Sequence, residues 1–297
     1  MENIRNVAVM GTGTMGPGIA LQFARAGYNV IIWGRNEQSL ARGMRNLQLN
    51  IDDLVREDIL DDFEVGRIKN NIIVTADLEE ACKDAQIVVE AIEEICSRET
   101  ILASTTSTLL PTPLSEKLKY KERLIVAHFW NPAYLAPLVE VCGSKDTSAE
   151  VIEVAMGILK KIGNQPVLMR KEILGFLGNR IMHAMNREAL ALISDGVCDP
   201  EDIDVVVNTS FGPRFANLGP MEYLDAVGLD LIKNIQGYLY GDLDDTAGVV
   251  PVIDKLVTEG NLGMKTGKGL FDWSKKQDRI RENRDKDFIR RLKEQKL

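Results

Sequence analysis

The chain has 297 residues, a formal net charge of -8 and a sequence pI of about 5.1. It has no basic surplus to meet phosphates, which excludes nucleic acid as a partner. No apolar run approaches the roughly 18 residues that a bilayer-spanning helix needs, so no membrane partner is expected. The hydrophobic share of 45 % supports one large domain or two ordinary ones.

Taken in chain order, short apolar runs alternate with helical patterns. The first strand signal, over residues 4–10, begins almost at the initiator. That leaves no room for a signal peptide, so a cytoplasmic location is expected. Residues 15–27 predict a helix, with Ile19, Phe23 and Ala26 on one side and Gly27 closing it. Residues 29–33 predict a second strand, and 37 to about 55 a long polar helix. Four more apolar runs follow, at 72–75, 87–92, 101–104 and 124–127. This is the alternation of a parallel, helix-covered sheet. Runs at 138–141 and 167–169 extend it at one edge. From Ile173 onward helical periods dominate, over 176–194, 200–208, 221 to about 238, and 249–259. The expected division is an α/β domain over 1–172 and an all-α domain over 173–297. The charge-dense tail after Trp273 reads as a helix or a frayed end, with a solvated terminus the favoured reading. Cys82, Cys96, Cys142 and Cys198 are scattered, with no CxxC and no Cys/His cluster. They read as small buried apolar residues, with no disulfide and no structural metal.

The loop Gly11-Thr12-Gly13-Thr14-Met15-Gly16 follows the first strand and opens the first helix. In that context GxGxxG predicts a dinucleotide site on a Rossmann-type doubly wound sheet. Gly11 permits the tight turn, Gly13 the approach of a pyrophosphate, and Gly16 the close packing of helix on strand. The helix N-terminus then faces the diphosphate charge. NAD sites of this fold place a carboxylate at the end of the second strand. Here that strand ends Trp33-Gly34-Arg35-Asn36, with no acid. Gly34 leaves room for a 2′-phosphate and Arg35 can pair with it, so NADP is expected over NAD. The alternative is that Arg35 only stacks on the adenine and both cofactors serve. The cofactor-binding candidates are Gly11, Gly13, Thr14, Met15, Gly16, Gly34, Arg35 and Glu90.

The chain has two histidines. His128 directly follows the apolar run 124–127, and Glu140 sits inside a second run twelve residues on. A strand end that delivers an imidazole and a strand that delivers a carboxylate can assemble a general base and its orienter. A carboxylate in an apolar strand is costly unless paired, which itself argues for a buried partner. His183, on the first helix of the second domain, reads as a surface or packing residue.

These residues carry a resemblance to the short-chain 3-hydroxyacyl-CoA dehydrogenases over nearly the whole chain. The matching motifs are the opening 11–20, Thr106-Ser107, His128-Phe129-Trp130-Asn131-Pro132, Leu138-Val139-Glu140-Val141, and the Gly-Phe-x-x-Asn-Arg of 175–180. Gly219-Pro220-Met221-Glu222, Val227-Gly228-Leu229-Asp230 and the 265–271 segment complete the set. The resemblance implies that His128 takes the proton of a 3-hydroxyl while hydride leaves C3, with Glu140 holding the imidazole. It further implies that Ser107 and Asn179 bind the substrate's oxygens, that the site lies between the domains, and that the protein is a homodimer through its helical domain.

Three features depart from the pattern. Thr105 replaces the asparagine usual before Thr-Ser. Pro137 replaces a common lysine, and with Leu109-Leu110-Pro111 it looks closer to the carnitine and gulonate dehydrogenase branch, which oxidises free 3-hydroxy acids. An acidic arm over 52–64 also disfavours CoA phosphates, unless it is only a solvated face. Last, residues 93–99 alone separate two strands, too few for a covering helix. That predicts a bare sheet face covered by a partner, or a different strand pairing. The leading reading is an NADP-preferring dehydrogenase of short 3-hydroxyacyl-CoA substrates, such as 3-hydroxybutyryl-CoA. The alternatives are a dehydrogenase of a free 3-hydroxy acid and a weakly active cofactor-binding structural protein.

Overall fold

In the computed structural model, which describes residues 4–89, 93–275, 280 and 283–296, the chain forms two compact units. The first comprises residues 1–178 and 285–297, the second 179–284. The division thus falls beyond the expected boundary at 172, and the terminal segment belongs with the sheet unit.

The first unit is built on one eight-stranded sheet in the order β3-β2-β1-β4-β5-β6-β7-β8. Its strands are β1 (Asn6–Met10), β2 (Asn29–Trp33), β3 (Ile72–Thr75), β4 (Ile87–Val89), β5 (Ile101–Ser104), β6 (Leu124–Phe129), β7 (Leu138–Gly143) and β8 (Gln165–Leu168). Pairing is parallel throughout except between β6 and β7. The chain order reverses at β1, between β2 and β4, which makes the C-terminal end of β1 a switch point where α/β sheets bind ligands.

Alternation along the strands feeds two cores. Val7 and Val9 face one side with Ile19, Phe23, Leu47 and Ile158. These come from helices α1 (Gly16–Arg25), α2 (Glu37–Arg56) and, further on, α6 (Ala149–Lys161). Ala8 and Met10 face the other side with Cys82, Val88, Leu102 and Leu124. Sequence periodicity did not mark α6, nor the short helices α3 (Asp62–Asn70), α4 (Leu78–Cys82) and α5 (Pro111–Ser115). Of these, α3 and α4 are held by side-chain caps rather than by a long apolar stripe. Asp61 and Glu64 form a capping box at α3, and Asp77 caps α4.

The short crossover resolves differently from both expectations. β4 and β5 pair in parallel as in any βαβ unit, so the pairing is unchanged. The sheet face is not bare either. Ile95 and Cys96 from the crossover, with Leu114 and Leu118, pack onto the second core. A 3-10 turn at Glu93–Ile95 replaces the helix, and a polar clasp holds it. Glu93 accepts from the Lys119 N–H at 2.6 Å, the Tyr120 N–H at 2.8 Å and the Arg123 guanidinium at 3.2 Å. Arg123, 3 % exposed, also donates to the Ser97 and Thr100 carbonyls.

The described end of the tail is not a free solvated terminus. A terminal helix, Lys286–Lys296, returns to the first unit and packs Phe288, Ile289 and Leu292 against its core. Lys293 pairs with Glu57 at 2.9 Å. The charge density of this helix masked an apolar stripe at helical spacing.

The second unit is helical, from α7 (Phe176–Ser194, starting in the first unit) through α8 (Pro200–Thr209), α9 (Phe211–Phe215), α10 (Pro220–Val227), α11 (Leu229–Leu239) and α12 (Pro251–Thr258). The single helix expected over 221–238 is broken at Gly228, whose φ of +103° ends α10. Among the described residues of this unit, Val250 is the one buried hydrophobic. No helix among the described residues is long and apolar enough to cross a membrane.

The clasp yields a stability prediction. Replacing Arg123 by Met leaves a half-buried carboxylate and two carbonyls short of a donor, at a cost of about 2 kcal/mol. Burial pushes Glu93 up, but the Lys119 and Tyr120 N–H groups and Arg123 outweigh it and hold its carboxyl below the ordinary range. A depressed folded value contributes stability at neutral pH that is lost as pH falls through it. In urea unfolding, the gap between wild type and Arg123→Met should therefore narrow on acidification; coincident curves at neutral pH would refute the clasp.

Candidate active site

The glycine loop has the shape its residues dictate. Gly11 has φ +135°, and its N–H donates to the Trp33 carbonyl at 3.0 Å. A Cβ on Gly16 would overlap the Gly11 carbonyl, so only glycine allows α1 to start there. A Cβ on Gly13 would meet nothing, which leaves open space before the start of α1. Thr14 is exposed and Met15, the N-cap of α1, is half-buried. The α1 N-terminus therefore presents unpaired N–H groups toward the switch point, the local polarity that suits a diphosphate.

At the end of β2, Gly34 has a packing reason of its own. A Cβ there would collide with Leu40, Ser39 and Thr12. Its lack of a side chain lets α2 approach the glycine loop, so it is not evidence of space for a phosphate. Arg35 is exposed, and Asn36 caps α2 in a box with Ser39. Glu90 lies outside the described residues.

On the same edge of the sheet, β6 carries His128 next to its last residue. The antiparallel register sets His128 directly opposite Glu140. His128 Nδ1 is 2.9 Å from Glu140 Oε2, and the residues are 7 % and 1 % exposed. Three further donors converge on the carboxylate. The Trp130 indole N–H reaches Oε2 at 3.0 Å, and the Leu177 and Gly178 N–H groups reach Oε1 at 2.7 and 3.0 Å. The latter two are orphan donors at the start of α7, so a β-strand carboxylate caps a helix from outside it. Burial pushes Glu140 up, but the Gly178 N–H, His128, Trp130 and the Leu177 N–H outweigh it, and its carboxyl lies below the ordinary range. With Nδ1 engaged by an anion, the His128 proton is placed on Nδ1 and the Nε2 lone pair is left as the acceptor. The Phe176 ring packs 5.3 Å from the imidazole.

Ser107 is exposed in the loop after β5, the strand beside β6. Asn179 follows Gly178 directly along α7 and belongs to the second unit, as does exposed His183 one turn later. Trp130, Leu177 and Gly178 were missed as partners of Glu140. The available signal was a glycine-flanked helix start, which always carries free N–H groups in need of an acceptor.

A Rossmann-type glycine loop at a switch point, with a carboxylate-bound imidazole on the same sheet edge, defines a nicotinamide-dependent oxidoreductase. Comparison with known proteins gives the family. The NAD-binding domain of 3-hydroxyacyl-CoA dehydrogenase matches residues 6–173, and the C-terminal domain of the same family matches residues 175–273. The chain belongs to the 3-hydroxyacyl-CoA dehydrogenase family. It is 31 % identical to 5-formyl-3-hydroxy-2-methylpyridine 4-carboxylate 5-dehydrogenase of Mesorhizobium japonicum, covering 92 % of each chain. It is also 31 % identical to a 3-hydroxybutyryl-CoA dehydrogenase of Clostridioides difficile, covering 91 % of this chain and 99 % of the relative. An L-carnitine dehydrogenase of Bacillus cereus is 33 % identical, covering 76 % and 73 %. Among solved structures, a 5-formyl-3-hydroxy-2-methylpyridine 4-carboxylic acid 5-dehydrogenase, described as an NAD+-dependent dismutase, superposes with a TM-score of 0.89 at 30 % identity over 98 % and 99 % of the chains.

Proposed function

We propose that the protein oxidises the alcohol carbon of a small hydroxy acid, with His128 as the general base and Glu140 as its orienter. The observation that carries this is the buried 2.9 Å pair between His128 Nδ1 and Glu140, which leaves Nε2 to take the hydroxyl proton. The bound nicotinamide supplies the hydride acceptor. The chain's own residues do the rest. Ser107 and Asn179 bind the substrate's oxygens, Glu140 stabilises the imidazolium as it forms, and the glycine loop holds the diphosphate. The first unit is thus the cofactor domain and the second the substrate and dimerisation domain. Replacing His128 by Gln should lower kcat by about 10²–10⁴-fold, with cofactor affinity unchanged. Turnover at the wild-type rate would remove His128 from the mechanism.

We place the substrate among free acids rather than CoA thioesters. The acidic arm offers no basic surface to CoA phosphates, and its carboxylates serve local structure. Asp53 accepts from the Tyr134 hydroxyl at 2.9 Å, Glu57 pairs with Lys293, and Asp61 caps α3. The full-length likeness to a pyridine carboxylate dehydrogenase supports the same choice. The second reading, a short 3-hydroxyacyl-CoA, is favoured by the full-length 3-hydroxybutyryl-CoA dehydrogenase relative and the retained His-Phe-Trp-Asn-Pro segment. Arg35, at a β2 end without a carboxylate, supports NADP over NAD. Initial rates with 3-hydroxy acids against acetoacetyl-CoA, each with both cofactors, separate these readings. A free acid with NADP should give the highest kcat/KM; a clear preference for NAD discards the role of Arg35.

The helical unit supports a homodimer. Ile181, Met221 and Tyr238 are 69 %, 68 % and 74 % exposed, in a unit with almost no buried side chain of its own. Apolar helix faces of this extent need a cover, and a second copy supplies one. Sedimentation should show a two-chain mass down to nanomolar dilution, and a stable monomer would contradict it.

A further inference from the structure

Trp130 stands where the resembling family carries phenylalanine. Its indole N–H donates at 3.0 Å to Glu140 Oε2, the same oxygen that faces His128 Nδ1 at 2.9 Å. The other oxygen is taken by the Leu177 and Gly178 N–H groups. The indole also packs on Gly178, where any Cβ would overlap its ring. A carboxylate oxygen offers about two lone-pair sites, so Oε2 is full.

We propose that Trp130 is a positioning residue for the base: it shares Glu140 Oε2 with the imidazole and so sets both the orientation of His128 and the pH range over which the pair works. The inference rests on the reading of His128 as the base. A carboxylate oxygen that already accepts a neutral N–H has less charge left for a second donor. It therefore stabilises an imidazolium less than a free carboxylate oxygen does. The indole N–H thus makes Oε2 a weaker partner for a charged imidazole than it would be with phenylalanine in this place. Its packing on Gly178 also prevents the carboxylate from turning away.

Few other ionisable groups bear on the pair. Cys142, two residues along β7, is pushed up to about 11 by burial, with Glu172 adding to the shift, and stays a neutral thiol. Glu172 itself is held by the Thr112 N–H and hydroxyl. β8 sets apolar Val167 opposite Glu140. α6 meets β7 on the other face, where Val139 and Val141 join the first core.

Trp130→Phe tests this, because an aromatic ring is kept while the N–H is removed with the pyrrole half of the indole. The acid limb of the kcat/KM profile should move upward by about half to one pH unit. Activity just below neutrality should fall several-fold, and cofactor affinity should be unchanged. An unmoved acid limb in a folded, active Trp130→Phe protein overturns the inference. A second readout needs no turnover and so separates this failure from failure of the base itself. The Trp130 indole N–H resonance, identified by its loss in Trp130→Phe, should shift with pH in step with the His128 ring signals and cease to shift in His128→Gln. A resonance indifferent to pH overturns the inference, whatever the His128→Gln assay shows about the base.

Discussion

A carboxylate buried to 1 % exposure is the point on which the site turns. Taking one charged oxygen pair out of water costs several kcal/mol unless its lone pairs are filled. Glu140 fills them with four donors from three places: His128 on β6, Trp130 just beyond it, and the first free N–H groups of α7. Each donor is one that its own element leaves unpaired. The arrangement therefore ties two antiparallel strands and a helix start to one charge. Neutralising that charge would leave the α7 N–H groups without a strong acceptor and the imidazole without an orienter. Stability of the sheet edge and orientation of the imidazole thus rest on the same interaction.

The crossover after β4 shows a second way of doing without expected material. A βαβ connection normally covers the sheet with its helix. Here the helix is absent, yet Val88 and Leu102 are fully buried. The cover comes from neighbours, with Ile95 and Cys96 packed onto the core and the Cys82 thiol 3.8 Å from the Met10 sulfur. The Glu93–Arg123 clasp holds the short segment against this core. A shortened crossover therefore gives no reason to expect a disturbed sheet, and the case for a merely structural protein loses its main support.

Much of this was legible in the sequence because strand periods and glycine constraints are local. The sheet, the glycine loop and the His128–Glu140 pairing all follow from short-range pattern plus one burial argument. What was not legible depends on partners distant in the chain. The docking of the terminal helix needs Phe288, Ile289 and Leu292 to find a core built from residues 7–162, beneath a charge pattern that reads as solvated. The Glu93 clasp needs Arg123, thirty residues on, in an exposed-looking run of Lys and Glu. Gly34 misled in the opposite sense. Its absent side chain looked like room for a ligand, but Thr12, Ser39 and Leu40 account for it.

The same contrast bears on the substrate. Counted in the sequence, the acidic arm is a block of like charges and suggests only repulsion of phosphates. In the fold its members are divided among tasks: a helix cap, a tyrosine acceptor, a partner for the terminal helix. Carboxylates committed to structure cannot be exchanged for lysines without loss of stability, so this surface is constrained to stay acidic. A polyanionic carrier such as CoA would meet an acidic surface on this arm, which is the physical ground for proposing a small free acid as substrate.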